Sequence, residues 1–570
     1  MKNASIAALF AEAADLLEVQ DANPFRVRAY RNASRAVKNH PEQFAAILDR
    51  EPDAKLEAIK GIGTDLAAKI REAVAESRIA MVEELRSEVP PVTLELFRLP
   101  GLGPKKVATL VNELELQTVD DLKAAAADGR VAGLSGFGVK TAGKIVEGLE
   151  QLDRLGNRTY LETGLELAER VRDDLAALPG TTRCEVAGSA RRRKETVGDL
   201  DLLLCGDGSA AMDALADHPL VEKTLARGGT KQRVRLAGGL EMDLRVVAEE
   251  SFGAALQYFT GSQAHNIAVR RVATDKGYKL NEYGLFCGDE RHAGASEDDV
   301  YAALGMPVFP PELREDRREF AWAETQLPTL IELSDVRGDL HMHTTATDGK
   351  NSITEMAEAA AARGLEYVAI TDHSKRVTMA GGLDARRLRK HWDDIRHAAA
   401  DVSGVEVLCG IECDILEDAT MDLPDEVLAD ADWVLAVLHY GLRQPAEKIE
   451  RRLLSAIDNP HVHCIGHPTG RIVGKREGAD ADWLKVLDAA AAAGAMMEIN
   501  ANPARLDLDD SLARAAADRG VPITISTDAH SLAGLEKMRW GVYQARRAGL
   551  EAKDVANTRP LAEFRALLRS

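Results

Sequence analysis

The densest chemistry in the chain lies between Val186 and Leu204, in the stretch VAGSARRRKETVGDLDLLL. An apolar run ends at Gly188-Ser189, a cluster Arg191, Arg192, Arg193 and Lys194 follows, and Asp199-Leu200-Asp201 opens a second apolar run. Residues i and i+2 of a strand share a face, so Asp199 and Asp201 project together and Leu200 and Leu202 project the other way. Two carboxylates on one face repel unless something positive lies between them, and hard divalent cations take oxygen ligands. Asp243, in the strand-like run Leu240 to Val247, supplies a third carboxylate. Three carboxylates on adjacent strands can hold two metals about 4 Å apart, the arrangement for in-line phosphoryl transfer. Gly188 and Ser189 offer backbone N–H groups and a hydroxyl to phosphates, and Arg192 offers a cation. Asp-x-Asp alone reads equally well as an acidic strand edge; its company here makes the combination far more specific.

A second constellation fills the C-terminal third. Seven apolar runs follow residue 335, most separated by Ala-rich, helix-patterned segments, and nearly all end in a potential metal ligand. The ends are His341-Met342-His343, Asp372-His373, Glu412, His439, His467-Pro468, Glu498-Ile499-Asn500 and Asp528-Ala529-His530. Strand–helix repetition implies a parallel, barrel-like sheet. Such barrels carry their active sites at the C-terminal ends of the strands. One buried His is ordinarily structural; His, Asp and Glu repeated at equivalent strand ends point to metal. His461 and His463 fall outside this pattern and read as structural or surface residues.

The elements ahead of these sites read as helical. The N-terminal stretch has apolar periodicity near 3.6, interrupted by Glu12 and Asp15, which marks a folded amphipathic helix and not a signal peptide. Arg26, Arg28, Arg31, Arg35 and Lys38 lie in a segment without acids, either a solvated helix face or a contact to a nucleic-acid backbone. Ile59-Lys60-Gly61-Ile62-Gly63 is echoed by Leu99-Pro100-Gly101-Leu102-Gly103-Pro104-Lys105 and by Leu134-Ser135-Gly136-Phe137-Gly138-Val139-Lys140. Gly-x-Gly between two helices makes a tight hairpin whose second helix presents free N–H groups to a phosphate without reading a base. Three such turns resemble helix-hairpin-helix DNA-binding motifs.

Composition bounds the rest. A chain of 570 residues implies about three to five domains. A formal charge of −20 excludes a generic polycation that coats nucleic acid, while leaving room for local basic surfaces. Six Cys at irregular spacing, with no CxxC, imply a reducing cytoplasm and no Cys-based zinc site; Cys409 and Cys413 read as core residues. No apolar run approaches a membrane span.

The Gly-Ser turn, Asp-x-Asp and third Asp resemble the nucleotidyltransferase superfamily, and with the hairpins they are similar to the family X DNA polymerases, the group of DNA polymerase beta. That resemblance implies roles for further residues. Arg158, Gly188, Ser189 and Arg192 would hold the nucleotide triphosphate. Gln257-Tyr258-Phe259-Thr260-Gly261-Ser262 looks like the family's nucleotide pocket, in which Tyr258, Phe259 and Gly261 form a steric filter against a 2′-hydroxyl. Asn266 matches a position at the minor-groove edge of the incoming nucleotide, Arg270 one at the template strand and Tyr30 a DNA-contacting tyrosine; Asn281-Glu282-Tyr283 also fits the pattern. Lys69 matches the lysine that forms a Schiff base in members with deoxyribose-phosphate lyase activity. Such a lysine needs a lowered pKa, whereas Asp65 stands beside it where those members carry a lysine. A surface helix Lys is the other reading.

From residue 336 onward the chain resembles the PHP (polymerase and histidinol phosphatase) domain, whose pattern implies nine ligands: His341, His343, Asp348, His373, Glu412, His439, His467, Asp528 and His530. The expected fold is multidomain α/β. Residues 1–85 form a helical lyase-like domain, 86–150 a second helix-hairpin-helix domain, 151–255 a nucleotidyltransferase palm and 256–315 a nucleotide-selection (thumb) subdomain. A linker with some local packing covers 316–335, and 336–570 forms a distorted (β/α)7 PHP barrel. The resemblance implies a monomer acting on gapped or nicked DNA with deoxynucleoside triphosphates. It uses Mg2+ or Mn2+ at Asp199, Asp201 and Asp243, and up to three divalent metals (Mn2+, Zn2+ or Fe2+) in the barrel. The expected activities are gap filling and removal of 3′ nucleotides or blocked 3′ ends, with cleavage at abasic sites a further possibility. The rival readings are a PHP nuclease whose polymerase half serves as a DNA-binding platform, and a small-molecule PHP phosphatase fused to a binding module.

Overall fold

The computed structural model describes residues 3–38, 40, 44–59, 61–76, 78–90, 92–97, 102–134, 136–138, 142–143, 145 and 158–569. The chain divides into two compact units, Met1–Gly156 and Asn157–Ser570. Each is taken by itself.

The first unit is helical. Ile6, Phe10, Ala13, Ala14 and Leu17 form a buried stripe on the helix Asn3–Val19, the spacing an amphipathic helix requires. They pack with Val37, Phe44, Ile70 and Val82 into one core. A second core gathers Val107, Leu110, Leu122, Val131 and Phe137. The turn at Gly61 has φ +96°, a conformation glycine adopts without strain. The helix Pro104–Glu113 starts at Gly103 with Pro in its first turn and no side-chain cap.

The second unit opens with a five-stranded sheet in the order Thr181–Val186, Asp199–Gly206, Glu241–Val246, Lys231–Leu236, Val221–Arg227. Asp199–Gly206 and Glu241–Val246 run parallel, with Asp201 opposite Asp243; every other pairing is antiparallel. The alternation Leu200, Leu202 and Leu204 is buried against Leu161, Leu165 and Leu175 of the helix Leu161–Ala176, so the carboxylates take the other face. The next subdomain combines the helices Phe252–Thr260, Gln263–Asp275 and Glu297–Ala303 with a three-stranded antiparallel sheet. Ser262 caps Gln263–Asp275, and Ser296 closes a capping box with Asp299.

Residues 316–335, expected as a linker with some local packing, form a packed strap. Glu319 is fully buried, 3.0 Å from His265 Nδ1 and accepting from the backbone N–H of Asp316 and Arg317. A Cβ on Gly549 would lie 2.5 Å from the Trp322 ring, so that indole sits directly on the barrel. The charges that made this stretch look like a linker are paired there, Arg317 with Asp510 and Arg318 with Asp518.

The remainder is a seven-stranded parallel sheet in chain order, from Gly338–Met342 to Ile523–Ser526, the distorted (β/α)7 arrangement that the strand–helix repetition implies. A parallel bridge from Met342 to Ala529 brings the last strand back to the first. Helices such as Ala385–Ala399 and Ala446–Asp458 cover the outside, sealing a core of Val368, Ile411, Trp392, Leu453 and Ile499. Inside, Leu340, Tyr367, Trp433 and Leu435 meet Phe564, whose ring lies 5.2 Å from Tyr367 and 5.6 Å from Trp433. Phe564→Ala removes this plug and is expected to cost about 3–5 kcal/mol. Urea titration followed by far-UV circular dichroism checks it; an unchanged midpoint would mean that the terminal helix contributes nothing to the barrel.

Candidate active sites in the palm and the barrel

The palm site forms where the turn at Gly188 meets the strand Asp199–Gly206. Gly188 has φ +64°, and a Cβ there would lie 2.3 Å from Asp201 Oδ2. Only glycine lets the turn approach the carboxylate this closely. The Ala187 N–H donates to the Asp201 carbonyl (2.8 Å), which fixes the approach. Burial pushes the Asp201 carboxyl up to about 7, reinforced by Asp199 and Asp243. Burial acts the same way on Asp243, but Arg233 and Lys231 outweigh it and hold that carboxyl below its ordinary value. Arg233 forms a two-pronged pair with Asp243 (2.7 and 2.8 Å), and Lys231 Nζ lies 3.1 Å away. Asp199 is exposed at the strand entry.

Around these carboxylates, Arg158 donates to Thr196 Oγ1 (2.9 Å) and packs against Gly198, one residue from Asp199. Ser189 lies in the short helix Gly188–Arg191. Arg192 donates to the Thr260 carbonyl, and its Nε lies 3.2 Å from Glu315 Oε1. Gly261 has φ +68° and abuts Arg192 Nη1. Tyr258 and Phe259 meet edge to face at 5.1 Å, with Arg245 over the Phe259 ring. Asn266 is buried, accepting from Gln257 (2.8 Å) and donating to the Tyr258 carbonyl (2.7 Å), so its amide braces the aromatic pair. Arg270 Nε donates to the Asn266 carbonyl at 3.3 Å.

In the helical unit, Gly61, Gly63, Gly103, Gly136 and Gly138 stand at their turns, and Lys105 lies in the first turn of Pro104–Glu113. Gly101 and Lys140 lie outside the described residues. Tyr30, expected to contact DNA, is 3 % exposed, with its hydroxyl 3.0 Å from Met81 Sδ and 3.4 Å from Asp65 Oδ2; it serves the core instead. Lys69 forms an ion pair with Asp65 one turn earlier. Burial acts to lower the Lys69 pKa, but hydrogen bonding and charge from Asp65 and Tyr30 outweigh it, and the net shift is upward.

The barrel site is denser. His341, Glu412 and His467 converge, as do His341, His343 and Asp528; His373, Glu412 and His439; and His343, Asp348, His373 and His530, each group's donor atoms lying within 4.8 Å of one another. These overlapping groups use all nine candidates, and His341, His343, His373 and Glu412 each belong to two of them. Most lie at or just past strand ends, where parallel strands bring them to one mouth. His341 Nδ1 faces Glu498 (2.8 Å), His439 Nδ1 faces Asp414 (3.0 Å) and His530 Nδ1 faces the Asp528 carbonyl (2.9 Å). With each Nδ1–H donated outward, Nε2 is left as a lone-pair donor toward the centre. His341 Nε2, both ring nitrogens of His343 and His467 Nδ1 are buried without a hydrogen bond. Such orphaned atoms, set among three carboxylates, fit divalent cations. Burial acts to raise Glu412 and Asp528, but the surrounding imidazoles hold both well below the carboxylate range. Burial pushes His343 down to about 4, helped by its His373 and His530 neighbours.

Two residues escaped the ligand pattern. Glu498 ends a strand like a ligand, yet it accepts from the His467 N–H and orients His341. Arg505 reaches back from the loop after Met496–Asn500, its Nε 3.8 Å from Asp528 Oδ2. No periodicity marks a loop cation, and the strand ahead of it bears none of the nine ligands.

Family models match a helix-hairpin-helix domain over residues 1–79, a SAM-like helix-hairpin-helix tandem over 93–151, a DNA polymerase beta thumb over 255–315 and a PHP domain over 339–502. The chain is 38% identical to the DNA polymerase/3'-5' exonuclease PolX of Bacillus subtilis over 558 residues, 97% of each protein. It belongs to the PHP-bearing family X DNA polymerases. A probable phosphatase of Thermoanaerobacter sp. is 31% identical over 231 residues, 39% of this chain and 89% of that protein. DNA polymerase lambda of Rattus norvegicus is 28% identical over 290 residues, 45% of this chain and 48% of that one.

Lys69 tests how far this family X member shares lyase chemistry. An amine held above its ordinary pKa is almost wholly protonated at pH 7 and gains nucleophile only as pH rises beyond that value. Borohydride trapping on a 5′-deoxyribose-phosphate DNA end at pH 7 is expected to give no adduct at Lys69, and Asp65→Lys is expected to increase trapping. Efficient trapping by the unaltered chain would contradict this.

Proposed function

We propose that this family X polymerase fills short gaps in DNA at the palm and trims 3′ ends at the barrel. The reading is carried by two separate phosphoryl-transfer constellations on one chain that also carries helix-hairpin-helix turns. In the palm, Asp199, Asp201 and Asp243 hold Mg2+ or Mn2+; Gly188, Ser189, Arg192 and Arg158 hold the triphosphate. Asp243, paired here with Arg233 and Lys231, would release these exposed cations to help take the proton of the primer 3′-hydroxyl. In the barrel, the nine nitrogen and oxygen donors hold up to three of Mn2+, Zn2+ or Fe2+. Divalent ions there would supply an activated water and neutralise phosphate charge. Six irregularly spaced cysteines without a CxxC support placing the protein in the reducing cytoplasm, and we take it to act as a monomer.

One observation favours a second reading. Asp243 is committed to Arg233 and Lys231, as a palm retired to DNA binding would allow. A one-nucleotide gapped duplex labelled on the primer separates the two. Asp199→Ala is expected to abolish extension and leave shortening intact, and His341→Ala to do the reverse. Loss of both activities in either folded variant would break the two-site assignment; shortening alone by the unaltered chain would favour the second reading. Turnover of a soluble phosphomonoester without action on DNA would favour a phosphatase.

Arg505 faces the centre beside Asp528 and is the cation we assign to the scissile phosphate. Arg505→Ala is expected to slow 3′ hydrolysis about a hundredfold, with metal content by mass spectrometry unchanged. Loss of metal with the activity would make Arg505 a support of Asp528 instead.

A further inference from the structure

The turn that carries Arg192 is held from the barrel. Arg193 stacks over the Tyr543 ring at 4.5 Å. Glu195 pairs with Arg471 and accepts from Gln544 (2.9 Å). Arg547, whose side chain is 1 % exposed, makes three bonds at once. Its Nη1 donates to the Arg192 carbonyl (2.7 Å) and to Glu315 Oε1 (3.2 Å), and its Nη2 donates to Asp510 Oδ2 (2.7 Å). Glu315 Oε1 is the same oxygen that faces Arg192 Nε at 3.2 Å. Arg317 shares Asp510 from the strap.

We infer that Arg547 is a positioning residue of the polymerase site, acting on the incoming nucleotide through Glu315 and Arg192. This rests on the reading of Arg192 as a triphosphate ligand. For Arg192 to meet a triphosphate, its guanidinium must give up Glu315. That carboxylate is mostly buried and cannot be left without a cation. Arg547 already touches it and remains when Arg192 turns away. It also fixes the Arg192 backbone, so only the side chain need move. Without Arg547, Glu315 would clamp Arg192, or stand beside the triphosphate with only Lys194 left to offset its charge. Either outcome weakens nucleotide binding more than the chemical step.

The test uses the full chain, Mg2+, a one-nucleotide gapped duplex and the complementary deoxynucleoside triphosphate. Arg547→Gln is expected to raise the nucleotide KM about tenfold or more, with kcat within about threefold. 3′ shortening by the same preparation should be near that of the unaltered chain and reports that the barrel is folded. If R547Q loses shortening, R547K carries the same test, because it keeps the charge but cannot reach all three acceptors. Adding Glu315→Gln to either variant is expected to restore the KM, a rescue that a merely structural role would not give. An unchanged KM in a folded Arg547 variant, or a raised KM that Glu315→Gln does not relieve, overturns the inference if Arg192→Ala itself raises the KM. If Arg192→Ala leaves the KM unchanged, the assignment of Arg192 fails first and takes this inference with it.

Discussion

Six imidazoles and three carboxylates crowd one barrel mouth, and most of them are buried. Unpaired buried polar atoms are costly, and buried charges more so. The barrel is arranged around meeting that cost. Carboxylates and a carbonyl behind the ring face Nδ1 of His341, His439 and His530, so that their lone pairs face inward. Glu412 lies among five of the imidazoles and balances their charge. A parallel sheet makes this possible, because every strand ends on the same side and successive ends are neighbours. An antiparallel sheet would send alternate ligands to opposite faces of the molecule.

The palm solves a related problem with less. Its carboxylates are not among the convergent groups, and the repulsion between Asp201 and Asp243 is relieved by lifting one pKa and pairing the other with Arg233. The cost of bringing like charges together is met here by exposed cations that can be displaced. In the barrel it is met by imidazoles and carboxylates that are mostly buried. The two sites therefore differ in how much of their geometry exists before any ligand arrives.

Much of this was legible in the residues. The i, i+2 spacing of Asp199 and Asp201 gave their common face, and apolar runs ending in His, Asp or Glu gave both the parallel barrel and its rim. Repeating patterns of this kind are local, so they survive in one dimension. What was hidden depends on contacts between distant segments. Tyr30 turned inward because Met81, fifty-one residues on, offers its sulfur. The strap at 316–335 looked like a linker because its charges find partners two hundred residues away. Arg505 and Arg547 carry no pattern at all; each matters only for what lies opposite it.

Leu506 and Trp540 belong to the barrel in sequence, yet they are buried in the hydrophobic core of the palm with Leu165, Leu200 and Leu244. Each would expose an apolar side chain worth about 1.5–3 kcal/mol if the halves were parted. Palm and barrel are thus not beads on a string that can be exchanged separately. A lesion that melts one removes part of the other's interior, and the capacity to extend a strand and the capacity to erode it are lost in the same event.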